Sequence, residues 1–157
     1  MILALPLLAS LALQAQPQDF YALGRDRVRF ARELHRYGYG ELAEIYCTRV
    51  EALPGIDAAE LASLKSVHMD LQMGAARDID DPIARKQQLA KILEAKEDFI
   101  DANPGSPEAK DVAAELPEIY QLLGEAYANA LQASTDPQQL TDLRKEGKDV
   151  FVRGERS

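Results

Sequence analysis

Asn103-Pro104-Gly105-Ser106-Pro107 stops one helix and starts the next within five residues. Pro104 cannot continue a helix and Gly105 accepts the left-handed conformation of a helix end. Ser106 then offers a hydroxyl cap ahead of Pro107, whose missing N–H is harmless at the first helical position. The same punctuation recurs at Leu53-Pro54-Gly55-Ile56-Asp57 and at Ser134-Thr135-Asp136-Pro137. Long segments with helical apolar spacing lie between these breaks. Long helices joined by short breaks fold as antiparallel hairpins, and hairpins in series stack into an all-α solenoid.

Outward from the breaks, the spacing predicts three hairpins, over about 19–54, 57–104 and 106–152. The first helix, from Asp19 to Tyr37, carries Phe20, Leu23, Phe30 and Leu34 on one face and ends at Gly38 and Gly40. The second, Glu41 to Leu53, is expected to bury Leu42, Ala43, Tyr46, Val50 and Leu53. Asp57 with Glu60 forms a capping-box variant for the third, and Asp81-Pro82 opens the fourth. Ser106-Pro107 launches a segment to Gln132, in which Pro117 predicts a kink or a restart. The last helix follows Asp136-Pro137 and ends near an apolar patch, Val150-Phe151-Val152.

With 157 residues the chain can bury a core without disulfides, and with no Trp that core is aliphatic. A formal net charge of -8 disfavours nucleic acid and anionic lipid as partners. The single cysteine, Cys47, forbids an internal disulfide and excludes Cys-rich zinc sites. It reads as a small buried hydrophobe, a reactive thiol being the sharper alternative.

Residues 1–15 are a different material. Ile2 to Leu13 is almost wholly apolar, and no charged side chain precedes Asp19. The run is shorter than the roughly 20 residues needed to span a bilayer but suits the core of a signal peptide. Ala15 offers a small residue before Gln16, so cleavage there, export to the periplasm or cell envelope, and a mature domain of residues 16–157 without a membrane span are expected.

Tyr120-x-x-Leu123-Gly124-x-x-Tyr127 resembles the first-helix signature of tetratricopeptide repeats. Upstream, Ala95-x-x-x-Phe99-x-x-Ala102-Asn103-Pro104 looks like the end of that family's second helix. A fainter copy is Ala43-x-x-x-Cys47-x-x-Val50 before Pro54, with Phe30, Ala31 and Leu34 in its matching first helix. The resemblance implies a short right-handed α-solenoid of degenerate repeats, in which small residues let helices approach and larger ones fill the gaps. It also implies a binding scaffold without a catalytic site.

Arg25, Arg29, Arg32 and Arg36 fall on one stripe of the first helix, a local reversal of sign in an acidic chain. Such a stripe suits an acidic protein or peptide partner, a phosphate or an anionic surface through bidentate contacts; the alternative is a solvated face pairing with Glu33 and with acids of neighbouring helices. Arg27 falls among apolar residues, so its head is expected to reach an acid such as Glu44. Tyr37 and Tyr39 flank the first turn, where a groove rim can lie. Asp78, Asp80 and Asp81 do not make a calcium loop, because the required Gly and Glu positions hold Ile83 and Leu89. His35 and His68 belong to no metal-ligand spacing, and no nucleophile signature or phosphate-cradling Gly loop occurs.

The expectation is therefore an exported interaction scaffold, not an enzyme, with no cofactor and no metal. A self-associating module built on Val150 to Val152, giving a homo-oligomer, and the front of a longer envelope protein are the alternatives.

Overall fold

The computed structural model describes residues 26–155. The apolar run 1–15 and its cleavage point, Phe20, Leu23 and Arg25 lie outside the described residues. Six helices follow in order: α1 Arg27–Arg36, α2 Gly40–Glu51, α3 Ala58–Arg77, α4 Pro82–Ala102, α5 Pro107–Ala133 and α6 Pro137–Gly154. No strand occurs among the described residues, and the fold is all-α.

The helix starts and stops obey local chemistry. Asp57 accepts from the amides of Ala59 and Glu60, Asp81 from Ala84, Ser106 from Ala109 and Asp136 from Gln138. Pro82, Pro107 and Pro137 each fill the first helical position. Gly55 and Gly105 adopt φ of 80° and 81°, the left-handed turn that a side chain resists.

Three expectations about helix extent are corrected. Asp26 has non-helical dihedrals (φ -151°, ψ 74°) and caps Arg29, so α1 begins at Arg27 rather than continuing unbroken from Asp19. α5 runs through Pro117 as one helix, without a restart, and Pro117 is exposed. Gly40 opens α2 rather than ending α1.

Each helix packs on the next, and α1 also meets α3 while α3 meets α5. The core follows this order. Ala31, Ala43, Tyr46, Cys47 and Val50 close on Leu64, Val67 and Leu71 of α3. Further along, Ala62 and Met69 of α3 join Phe99, Ala109 and Val112. At the far end, Met73 and Ala76 join Leu89, Ile92, Leu93, Leu123, Tyr127, Leu143 and Val150. Successive groups draw on successive helices, so the stack grows in one direction with α3 shared throughout.

One charged side chain sits in this core. Lys96 is 1 % exposed and donates to Asp70 of α3 and Glu115 of α5. A buried ammonium persists only where acceptors surround it, and these two supply them.

Candidate binding surfaces

The described part of the arginine stripe reaches the surface. Arg29, Arg32 and Arg36 are exposed on α1, and Arg25 lies outside the described residues. Arg36 is held 2.7 Å from Glu33, donates to the Tyr37 hydroxyl at 3.2 Å and lies over the Tyr37 ring. Among the described residues, Arg29 and Arg32 form no ion pair. Arg27 does find an acid, but it is Glu60 at 2.8 Å rather than Glu44, because α1 packs on α3 as well as on α2.

Tyr37 and Tyr39 are exposed and part company. Tyr37 stays with Arg36. Tyr39 lines a hollow of about 730 Å³ with His35, Glu41, Glu44 and Asp78, a predominantly acidic setting.

The positions assigned to repeat packing divide. Ala31, Ala43, Cys47, Phe99, Leu123 and Tyr127 are buried, and Leu34 and Tyr120 are partly buried against the core. Ala95, Ala102 and Gly124 are corrected: all three are exposed, and a Cβ at Gly124 would meet nothing within 4 Å. Phe30 and Leu42, expected in the core, are 41 % and 54 % exposed, although Phe30 packs edge to face on Tyr46 at 4.8 Å.

The glycines that do admit a helix lie on α6. Gly147 faces the Tyr127 side chain at 3.4 Å from its would-be Cβ, and Gly154 faces Tyr120 at 3.1 Å. Two polar clusters repeat on this antiparallel pair. The Tyr127 hydroxyl donates to Glu146 at 3.1 Å, and Lys86 of α4 reaches the same carboxylate at 2.9 Å while lying over the Tyr127 ring. The Tyr120 hydroxyl donates to Glu97 of α4 at 2.6 Å, and Arg153 donates to the same carboxylate. The acid thus sits on α6 in one cluster and on α4 in the other, which fixes the register of α6. Donation from Lys86 holds Glu146 below its ordinary value, and burial, with Glu146 beside it, pushes Tyr127 up to about 12.

Beside these tyrosines lies an open groove of about 590 Å³ between α5 and α6. Tyr120, Gly124, Tyr127, Leu131 and Gly147 form its floor, and Phe151, 67 % exposed, stands in it. Its α5 lip is uncharged, with Pro117, Gln121 and Ala128. Its α6 lip carries Arg144, Lys148 and Glu155.

His68 Nδ1 lies 2.8 Å from Glu51 and its other nitrogen 3.4 Å from Gln72, beside a hollow that Lys65, Asp98 and Asn103 also line. Cys47 is fully buried in the core, and burial pushes its thiol up to about 12, which keeps it protonated and unreactive at neutral pH. Among the described residues, no group of three His, Cys, Asp or Glu side chains is placed to hold a metal ion. No helix among them is long and apolar enough to cross a membrane.

The chain matches no protein-family model, no curated protein and no solved structure.

Proposed function

We propose that this chain is a short tetratricopeptide-like stack that binds a protein or peptide partner in the cell envelope, without catalysing a reaction. The observation that carries the reading is the pair Arg29 and Arg32, exposed on one face of α1 and without an ion pair among the described residues, in a chain of net charge -8. Two cationic forks about one helical turn apart match carboxylates at similar spacing on an acidic partner. The contacts of α1 with α3 and of α3 with α5 support the repeat reading, since alternate helices then form one continuous layer. The burial of Leu123 and Tyr127 supports it further.

Affinity capture from an envelope extract tests the role. The bait is the chain beside a variant with Arg29→Glu, Arg32→Glu and Arg36→Glu. A protein retained by the native bait and lost from the variant is the expected result. Equal retention by both baits makes the stripe a solvated face. Export is tested separately by sequencing the N-terminus of the protein recovered from the envelope fraction. Gln16 is expected to come first, and an intact Met1 in the cytosol overturns that part.

A further inference from the structure

α6 carries two stripes along its length. Leu143, Gly147, Val150 and Gly154 form the inner one: Leu143 and Val150 are buried, and the two glycines meet Tyr127 and Tyr120 of α5. Arg144, Lys148, Phe151 and Glu155 form the outer one, at steps of four, three and four residues, which keeps all four on one side of a helix. All four are exposed, and all four line the open groove between α5 and α6. Of the apolar run Val150-Phe151-Val152, only Phe151 is exposed.

The charges of the outer stripe are not matched along α6 or across the groove. Arg144 and Lys148 lie one turn apart, a like-charge spacing that weakens a helix. No acid stands three or four positions from either of them, and the facing lip of α5 is uncharged at Pro117, Gln121 and Ala128. Among the described residues, Arg144, Lys148 and Glu155 form no ion pair. A complementary surface must bring an acid to the Arg144 end and a cation to the Glu155 end. A second copy of the same stripe, laid antiparallel, brings both. The two-fold axis that sets Arg144 against Glu155 also sets Lys148 against Phe151, because the two pairs share one midpoint along the helix. An ammonium then meets an aromatic ring, as Lys86 already does over Tyr127. Laid parallel, the stripe would set cation on cation and acid on acid. Gly124, where a Cβ would meet nothing within 4 Å, leaves room in the groove for the incoming Phe151.

We infer that this chain forms a two-fold dimer through α6, the outer stripes of two copies packed antiparallel over the α5–α6 groove, with Arg144 of each copy against Glu155 of the other. The contact is isologous, so it closes at two copies. The inference goes beyond partner binding and does not rest on it: the dimer uses α5 and α6, whereas the cationic face proposed for a partner is on α1.

Sedimentation equilibrium of the full 157-residue chain, over a wide range of concentration, tests it. Two variants are used, Arg144→Glu and Glu155→Arg. Both positions are exposed, and unchanged circular dichroism verifies that each variant folds. The native chain is expected to show a monomer–dimer equilibrium and nothing larger. Each variant alone sets two like-charge pairs across the axis and is expected to dimerise at least about tenfold more weakly. An equimolar mixture restores both pairs in a heterodimer and is expected to regain the native affinity, which a merely structural role of either residue would not produce. A monomeric native chain, as when the groove serves a different partner, overturns the inference, and so does a native series that grows past the dimer. Variants that dimerise as tightly as the native chain overturn it too, as does a mixture no tighter than its components.

Discussion

Lys96 Nζ lies 3.0 Å from Asp70 Oδ1 and ties α4 to α3, while its second bond, to Glu115, ties α4 to α5. The ammonium is enclosed, but both carboxylates are roughly half exposed. That asymmetry decides which partner is costly to remove. Lys96→Met leaves two acids that water can solvate and an apolar side chain in an apolar slot, so a loss below about 1.5 kcal/mol is expected. Removing both acceptors, with Asp70→Asn and Glu115→Gln, leaves a buried charge without a counter-charge and is expected to cost about 3–5 kcal/mol. Chemical denaturation of the two variants checks the order. The reverse order would mean that Lys96 is not enclosed as described.

The glycines of α5 and α6 are expected to respond in opposite directions. Gly124→Ala adds a methyl group to open space on an exposed helix face, and the helix propensity difference predicts a gain of roughly 0.5–1 kcal/mol. Gly147→Leu drives a side chain into Tyr127 and should lose about 1–3 kcal/mol by overpacking. Melting temperatures of the two variants against the native chain decide, and equal shifts would contradict the packing of α6 on Tyr127.

Stability is expected to fall in alkali for a specific reason. The Cys47 thiol rises from 9.0 to about 12 on folding and the Tyr127 hydroxyl from 10.0 to about 12, burial being the main cause of both. Between those limits the unfolded chain holds fewer protons than the folded one, so stability declines as pH rises. The decline is at most about 1.4 kcal/mol per pH unit for each group. Denaturant titrations at pH 8, 9 and 10 should show the onset near 9, and Cys47→Ala should remove it. A native chain as stable at pH 10 as at pH 8 would contradict the burial of the thiol.

Pro117 gives a fourth expectation. It interrupts the hydrogen bonding of α5 yet is exposed on the surface of a continuous helix. Pro117→Ala is therefore expected to stabilise the protein by about 1–3 kcal/mol. A loss of stability on thermal unfolding would show that the proline shapes α5 for its neighbours.

Much of this fold was legible because the signals are local. Asp57, Asp81, Ser106 and Asp136 cap their helices with their own side chains, and Gly55 and Gly105 take the dihedrals their breaks demand. What a face meets is not local. Leu42 and Gly124 carry packing patterns, but both are exposed, and no periodicity reports that. Lys96 was missed because a lysine within the Leu89, Leu93, Phe99 stripe reads as an interruption. The signal was the availability of Asp70 and Glu115 on the flanking helices. Gly147 and Gly154 were readable in principle: they share a seven-residue spacing with Tyr120 and Tyr127, which they meet on the antiparallel helix. The arginine stripe was legible for Arg29, Arg32 and Arg36, whose helical spacing puts all three on the exposed side of α1.

The central proposal is that a partner docks on the cationic face of α1. Hydrogen exchange of the chain with and without its captured partner tests it most directly. Slowed exchange is expected across Arg27–Arg36, together with a binding constant that weakens as salt is raised. Protection confined to other helices, with α1 exchanging as it does in the free chain, would contradict it.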